Sequence, residues 1–146
     1  MSLTPVSNGS AGFAAFAAAL SAAGLPATDL EADGAQYFTL QYREDQPAAF
    51  IGLIPFGPEG LLRSLIVPHG LRRQGYGSQA IDEAAGLARG MGIRRLWLLT
   101  TGAEGYFVRQ GFRFARREDA PAVIANSQQF SITCPDTAVL MCLTLA

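Results

Sequence analysis

Two glycines and two arginines lie close together near the middle of the chain. Arg72 and Arg73 come just before Gly75 and Gly77, between a predicted strand and a predicted helix. Glycine lets backbone N–H groups approach an anion closely, and the positive end of a helix dipole adds to the attraction. Arginine donates charge-assisted hydrogen bonds to phosphate oxygens. This stretch therefore predicts a phosphate-binding turn, with a solvated turn that merely carries arginines as the alternative.

The same glycines also fit a dinucleotide-binding fingerprint. Gly75, Gly77 and Ala80 have the spacing G-x-G-x-x-A. A dinucleotide turn runs directly from its strand to the first glycine, whereas residues 68–74 intervene here. It also needs an acidic residue about 20 positions later, and residues 94–101 carry none. The sequence therefore excludes the dinucleotide interpretation and leaves another phosphate-bearing ligand.

Composition excludes several other kinds of site. All eleven basic residues are arginine, so a P-loop lysine and a Schiff-base lysine are both excluded. The single histidine, His69, cannot form a multi-histidine zinc site, and Cys134 and Cys142 lack C-x-x-C spacing. We therefore expect no metal. With 146 residues, 49% of them hydrophobic and 16% charged, the chain is expected to form one domain over residues 1–146.

Charge is distributed unevenly along the chain. Residues 1–60 hold six acidic side chains and one arginine, whereas residues 61–146 hold ten arginines and six acids. The net charge of −1 gives no reason to expect nucleic acid, and the basic half suits a compact polyanion. No apolar run approaches the roughly 20 residues that span a bilayer, and the alanine-rich residues 11–23 lack the basic flank of a signal peptide. We therefore expect a cytoplasmic protein that binds neither nucleic acid nor membranes.

Hydrophobic periodicity predicts the elements that position this turn. A helix is expected around residues 13–20, a second one with an apolar stripe from Ala80 to Met91, and a third over residues 104–110. Strands are expected over residues 36–42, 48–54, 61–67, 94–100, 112–114 and 138–145. This order of helices and strands predicts a single α/β domain with a mixed sheet.

Two of these segments resemble signatures of one enzyme superfamily. The Val-Pro pair at residues 67–68, followed by Arg72, Gly75 and Gly77, is similar to the acetyl-CoA signature of the GCN5-related N-acetyltransferases. That signature reads Gln/Arg-x-x-Gly-x-Gly/Ala. Residues 104–112 resemble the small helix of the same superfamily that ends in Gly-Phe. The resemblance extends from about Phe13 to the last residue of the sequence.

Three further segments narrow the resemblance. Residues 61–65, 98–101 and 134–141 are similar to the arsenic-resistance N-acetyltransferase branch, which belongs among the amino-acid N-acetyltransferases. Two of the same stretches also resemble the acetyltransferase domains of N-acetylglutamate synthases. The branch therefore implies a substrate that carries both an amine and an acidic group.

The resemblance implies a fold and a set of cofactor contacts. The fold is a mixed, mostly antiparallel sheet, splayed between its fourth and fifth strands and flanked by helices. Acetyl-CoA is the implied cosubstrate, with its pyrophosphate on the glycine-rich turn. The implied cofactor-binding residues are Ile66, Val67, Arg72, Arg73, Gln74, Gly75, Tyr76, Gly77, Ser78 and Phe107.

The chain departs from the superfamily pattern at its catalytic positions. Many members place a tyrosine four residues before the glycine of the Gly-Phe pair, where it protonates the departing thiolate. That position is Phe107 here, and the neighbouring Tyr106 points about 100° away on a helix. The catalytic acid is therefore unknown, with Tyr106 as its nearest candidate. A carboxylate base often occupies the position of Arg63, so the base is also unassigned and ordered water takes its place.

Arg63 interrupts an otherwise apolar strand with a charge. Burying an arginine is costly unless it meets an anion or lines a polar cleft. One interpretation is a structural ion pair with Glu59 or Glu104. The other is a bidentate clamp for the acidic group of the substrate. The resemblance favours the clamp and implies Thr101 and Thr137 as further substrate contacts.

The sequence therefore predicts an acetyl-CoA-dependent N-acetyltransferase that acts on a small amine. The expected substrate is an α-amino acid or an amino-acid-like toxin of the phosphinothricin or arsenical type. Two alternatives stay open: an enzyme similar to N-acetylglutamate synthase, and a CoA-binding sensor with little activity. The oligomeric state is also open, with a homodimer as one option.

Overall fold

The computed structural model describes residues 3–6, 18, 36–43, 46–126 and 138–145. The helix predicted around residues 13–20 lies outside the described residues except for Ala18, which is helical and exposed. Thr137 and Cys134 also lie outside them, so the prediction that Thr137 contacts substrate stays a prediction.

Four strands come first among the described elements, and α-helices and strands alternate after them. The strands are β1 (Leu3–Val6), β2 (Gln36–Arg43), β3 (Gln46–Phe56), β4 (Glu59–Ile66), β5 (Arg95–Thr100), β6 (Arg113–Phe114) and β7 (Val139–Thr144). The α-helices are α1 (Tyr76–Gly90), α2 (Glu104–Arg109) and α3 (Ala122–Ala125), with short 3₁₀ turns at His69–Leu71 and Arg117–Asp119.

The strands form one mixed sheet in the order β1-β2-β3-β4-β5-β7-β6. The pairs β1/β2, β2/β3, β5/β7 and β6/β7 are antiparallel, whereas β4/β5 is parallel. The predicted α/β fold with a mixed and mostly antiparallel sheet is confirmed. The sequence missed β1, which pairs with β2 from Leu3 opposite Leu40 to Val6 opposite Tyr37.

Contacts divide the chain into two compact units, the first formed by Met1–Leu53 and Ser64–Ala84. A small core of Leu40, Ala48, Ala49 and Ala80 lies at its centre, and each of these residues is fully buried. The partly buried residues that pack against this core are Leu3, Leu65, Val67, Leu71 and Tyr76. Residues on both sides of the glycine-rich turn are therefore anchored in the same core.

The second unit comprises Ile54–Arg63 and Ala85–Ala146. Its buried residues include Leu61, Ile93, Leu96, Trp97, Leu98, Phe112, Ile124, Leu140 and Met141. Gly60 lets β4 approach this core closely, because a Cβ there would come within 3.1 Å of both Ile93 and Leu96. A larger residue at position 60 would force those side chains to move.

Within the second unit, β4 and β5 pair over a short distance. The parallel register joins Glu59 to Arg95, Gly60 to Leu96 and Leu61 to Trp97. In this unit β4 continues through Leu62 and Arg63, and β5 continues through Leu98 to Thr100. In the continuation of β5, Leu98 to Thr100 pair with β7. Pairing of β4 with β5 at the beginning of the two strands is consistent with the splay between the fourth and fifth strands that the resemblance implies.

Helix α1 confirms most of its predicted apolar stripe, with Ala80, Ile81, Ala84, Ala85 and Ala88 buried. The sequence was wrong about Leu87 and Met91, which are 40% and 42% exposed. Leu87 lies about 90° around the helix from the centre of the buried stripe at 100° per residue, and Met91 follows the last helical residue.

Among the described residues, no helix has the length and apolar character required to cross a membrane.

Candidate functional site

The glycine-rich turn joins the end of β4 to the beginning of α1. A 3₁₀ turn follows β4, with the Leu71 N–H donating to the Pro68 carbonyl at 2.9 Å. The first bond of α1 is donated by the Gln79 N–H to the Gly75 carbonyl at 3.0 Å. The N–H groups of residues 77 and 78 precede this bond, in the first turn, where backbone N–H groups point out of the positive end of the helix. The predicted phosphate-binding residues thus meet at one helix N-terminus.

Two residues of this turn adopt left-handed backbone conformations. Gly75 has a φ of 85°, and the space where a Cβ would lie is open to 4 Å. Arg73 has a φ of 67°, although it carries a Cβ. Left-handed backbone costs a non-glycine residue about 1–2 kcal/mol. Gly75 is therefore required by its conformation, and Arg73 holds local strain in an exposed position.

Arg72 has a structural contact that the sequence did not predict. Its Nε donates to the Val67 carbonyl at 3.0 Å, closing the loop between β4 and the glycines. A guanidinium carries five N–H donors, so this bond uses one of them. Arg72 thus holds the turn, and its predicted contact with phosphate stays a prediction.

Replacing Arg73 with glycine is expected to stabilise the chain and weaken cofactor binding. Relief of left-handed strain exceeds the about 0.5–1 kcal/mol that glycine costs in conformational entropy. The free energy of unfolding in urea should therefore rise by up to about 1 kcal/mol. Affinity for acetyl-CoA, measured by calorimetry, should fall about tenfold because one guanidinium is lost from the phosphate turn.

Arg73→Ala is the matched variant, since it removes the same guanidinium and keeps the strained backbone. It should lower the affinity for acetyl-CoA without the gain in stability. Unchanged affinity in both variants would remove Arg73 from the cofactor contacts.

Helix α2 carries the aromatic residues that the sequence connected with thiolate protonation. The ring centroids of Tyr106 and Phe107 are 5.2 Å apart in an edge-to-face arrangement. Phe107 also packs edge-to-face on Phe112 at 5.6 Å, and the Phe112 N–H donates to the Phe107 carbonyl at 3.0 Å. Tyr106 and Phe107 are both partly exposed, whereas Phe112 is buried. The Gly-Phe segment thus fixes α2 through Phe112, and the acid role of Tyr106 stays a prediction.

Replacing Phe107 with tyrosine is expected to keep or raise the rate of acetyl transfer. The substitution supplies a phenol at the position where related enzymes carry one, and the partly exposed ring keeps its edge-to-face contacts. Phe107→Leu should have a mild effect. Both variants are measured by thiol release, with thermal melting as the control for folding. Loss of turnover in a folded Phe107→Tyr protein would show that the acid lies elsewhere.

Arg63 is buried in the second unit, at 5% exposure. Arg63 has an interaction of its own within the protein, and the two carboxylates considered as its structural partners also accept hydrogen bonds from other groups. Glu59 accepts hydrogen bonds from Arg95 and Trp97, and Glu104 accepts one from the Gly102 N–H at 2.8 Å. Thr101 is exposed at the end of β5.

Glu59 is the centre of a polar cluster that sequence reasoning missed. Its carboxylate accepts from Arg95 Nε at 2.7 and 3.0 Å and from Arg95 Nη2 at 2.6 Å. It also accepts from Trp97 Nε1 at 3.0 Å, and the Arg95 guanidinium lies 5.2 Å from the Trp97 ring. The expectation that Trp97 is a core residue is confirmed by its 3% exposure. The sequence could not predict that the indole N–H of Trp97 bonds to Glu59, because 38 residues separate the two positions.

The interactions within this cluster also shift the pKa values of Arg95 and Cys142. The hydrogen bond to Glu59 raises the pKa of Arg95. Burial raises the pKa of the Cys142 thiol, with Arg95 opposing the shift and Glu59 adding to it. Cys142 is therefore a protonated thiol at neutral pH. Among the described residues, no three His, Cys, Asp or Glu side chains lie together as a potential metal site.

Comparison with known proteins identifies the family. Residues 13–112 match the acetyltransferase (GNAT) family. Because the match covers more than half of the chain, the protein belongs to this family and is an N-acetyltransferase.

Solved structures agree on the fold. GCN5 from Tetrahymena is 16% identical with a TM-score of 0.82, over 100% of this chain and 97% of its own. N-acetylglutamate synthase from Neisseria gonorrhoeae, complexed with coenzyme A and N-acetyl-glutamate, is 20% identical with a TM-score of 0.77. This chain is covered to 99% in that match but spans 35% of the synthase. An aminoglycoside 6'-N-acetyltransferase complexed with coenzyme A is 12% identical with a TM-score of 0.74, over 100% of this chain and 98% of its own.

Proposed function

We propose that the protein transfers the acetyl group of acetyl-CoA to the amine of a small molecule that also carries an acidic group. The substrate class is an α-amino acid or an amino-acid-like toxin of the phosphinothricin or arsenical type. The observation that carries this proposal is Arg63, a buried cation on β4, in a strand whose neighbouring residues Leu61 and Leu62 are buried and apolar. A planar guanidinium in such surroundings matches a carboxylate, phosphinate or arsenate-like group bidentately.

The glycine-rich turn fits the phosphates of the cosubstrate. Gly75 leaves open space where a Cβ would stand, and the N–H groups of residues 76–78 lie at the positive end of α1. Arg73 is exposed beside them. Gln74, Tyr76, Gly77 and Ser78 complete this part of the proposed site, and Phe107 is a further proposed contact. Backbone N–H donors and a guanidinium are the groups expected to hold a pyrophosphate.

Bound acetyl-CoA supplies an acetyl thioester to this site. In the proposed reaction, the backbone N–H groups of Ile66 and Val67 donate to the thioester carbonyl, as an oxyanion hole does in acyl transfer. Arg63 orients the substrate through its acidic group, so that the amine reaches the thioester in one geometry. Tyr106 or ordered water gives a proton to the departing thiolate, which leaves as the thiol, and ordered water takes the proton of the amine.

A second candidate is synthesis of N-acetylglutamate. Its support is the likeness in fold to the Neisseria synthase, at 20% identity. Glutamate also carries an amine beside carboxylates, so the same Arg63 would serve it. A CoA-binding sensor with little activity is the alternative outside the enzymes, and the missing catalytic tyrosine at Phe107 supports it.

Release of free thiol from acetyl-CoA tests the proposal. The purified chain is assayed with glutamate, other α-amino acids, phosphinothricin, and amines that carry no acidic group. We expect turnover with one or more of the amino-acid-like amines and none with amines that lack the acidic group. Glutamate as the preferred acceptor would favour the synthase-like function. Binding of acetyl-CoA without turnover on any amine would favour the sensor.

A further inference from the structure

The short parallel pairing of β4 and β5 needs something to fix its register. Three positions are paired, and the residues around them are apolar on both faces: Leu61, Leu62, Leu96 and Leu98 are all buried. A slip by one residue would exchange the two faces of a strand, whereas a slip by two residues keeps them. Strands that are buried on both faces read as continuous apolar runs. The apolar pattern alone therefore does not exclude the two-residue slip, which is opposed sterically at Gly60, where a larger residue would meet Ile93 and Leu96.

The carboxylate of Glu59 distinguishes between these registers. It accepts hydrogen bonds from Arg95, directly opposite it, and from Trp97, two residues further along β5. Arg95 and Trp97 share one face of the strand, about 6.6 Å apart at the rise of a β-strand. A slip by two residues would separate the carboxylate from at least one of these donors. With only 7% exposure, Glu59 cannot replace a lost donor with bulk water.

The same face of β4 leads to Arg63. Strand alternation puts Glu59, Leu61 and Arg63 on one side of the strand. Arg63 lies two residues past Leu61, which is the last partner of β5 in the parallel register. The register of the paired positions thus decides which residues of β5 stand alongside Arg63. A buried polar group that sets a register is a well-attested use of such groups.

We propose that Glu59 is a positioning residue that locks the register of β4 against β5 through Arg95 and Trp97 and thereby aligns Arg63 for its substrate. The inference rests on the proposed function through the role of Arg63. Glu59 itself does not touch the reacting groups. Its effect passes along β4, and it should act on the amine substrate more than on acetyl-CoA, whose phosphates are assigned to the turn beyond the end of β4.

The test compares Glu59→Gln with Trp97→Phe. Glutamine keeps the shape of Glu59 but loses its charge and one acceptor oxygen, and phenylalanine removes the indole donor while keeping an aromatic ring in the core. We expect each variant to raise KM for the amine about tenfold and to leave KM for acetyl-CoA within about twofold. The double variant should raise KM for the amine little more than either single variant does, because both substitutions disrupt the same hydrogen bonding between Glu59 and β5.

Two further measurements separate positioning from a merely structural role. Trp97 is the only tryptophan of the chain, so Glu59→Gln should shift its fluorescence emission. Glu118→Gln is the matched control: Glu118 lies 3.7 Å from Arg116 in an exposed ion pair, and its substitution should change neither the emission nor either KM. A lower melting temperature with unchanged KM for the amine in folded Glu59→Gln and Trp97→Phe would overturn the proposal.

Failure of the register proposal and failure of the proposed role of Arg63 give different kinetic results. If Arg63→Ala leaves KM for the amine unchanged while Glu59→Gln raises it and shifts the Trp97 emission, the register lock stands and the clamp role of Arg63 falls. If Arg63→Ala raises KM and Glu59→Gln does not, the clamp stands and the positioning role of Glu59 is overturned.

Discussion

Replacing Gly77 with glutamate is expected to abolish acetyl-CoA binding while the chain stays folded. Gly77 is buried in the first turn of α1, where backbone N–H groups face the proposed pyrophosphate. A carboxylate there would take the place of the anion and repel the phosphates, and an acid in the first turn suits the helix dipole. Calorimetry should show a loss of affinity of at least about a hundredfold, or about 2.7 kcal/mol.

Two variants control for the position and size of the substitution. Gly86 lies on the same helix, is exposed, and has no atom within 4 Å of a Cβ built on it, so Gly86→Glu should leave affinity unchanged. Gly77→Ala should retain binding, because alanine also occurs at this position of the superfamily signature. Circular dichroism and thermal melting establish that each variant is folded. Unchanged affinity in folded Gly77→Glu would disprove the assignment of the turn.

Replacing Arg63 with alanine is expected to raise KM for the amine by a large factor. Truncating one partner of a buried charged contact costs about 2–5 kcal/mol, which corresponds to roughly a thirtyfold to several-thousandfold change. Affinity for acetyl-CoA should barely change, because the phosphate contacts are assigned to the glycine-rich turn. Steady-state kinetics with each substrate varied in turn measure the two effects separately.

The conservative variant distinguishes a clamp from a structural ion pair. Arg63→Lys should recover part of the loss, since an ammonium keeps the charge but cannot form a planar fork. Arg113→Ala, at an exposed arginine on β6, is the control for general loss of positive charge and should leave both KM values unchanged. Equal losses in both affinities, or a lower melting temperature without a kinetic effect in the folded fraction, would favour the ion pair.

Local sequence signals were sufficient for the elements whose patterns are local. The alanine-rich stripe and Gly90 defined α1, alternation located β2, and apolar stretches between turn residues located β3 and β4. Strand β1 was missed because its four residues include Pro5 and show no alternation. Its pairing with β2 connects residues more than 30 positions apart, and no local pattern encodes that register.

The candidate site was likewise predictable only where its residues are close together in the sequence. The glycine-rich turn was predictable because its donors are consecutive in sequence and its backbone requires glycine at Gly75. The contact of Arg72 with the Val67 carbonyl depends on how the loop closes, so residue type alone suggested only a phosphate contact. The bonds of Glu59 depend on the parallel register with β5, which is established only after α1 has returned the chain to the sheet.

The cations of the proposed site and its support, Arg63, Arg72, Arg73 and Arg95, are all guanidinium groups. A guanidinium stays protonated throughout the working pH range of proteins and is not a nucleophile, whereas a lysine amine attacks acyl donors once it loses its proton. The chain contains no lysine at all. Acetyl-CoA bound to this chain therefore has no lysine amine of the chain to acetylate. We expect no acetylation of the chain on lysine during incubation with acetyl-CoA.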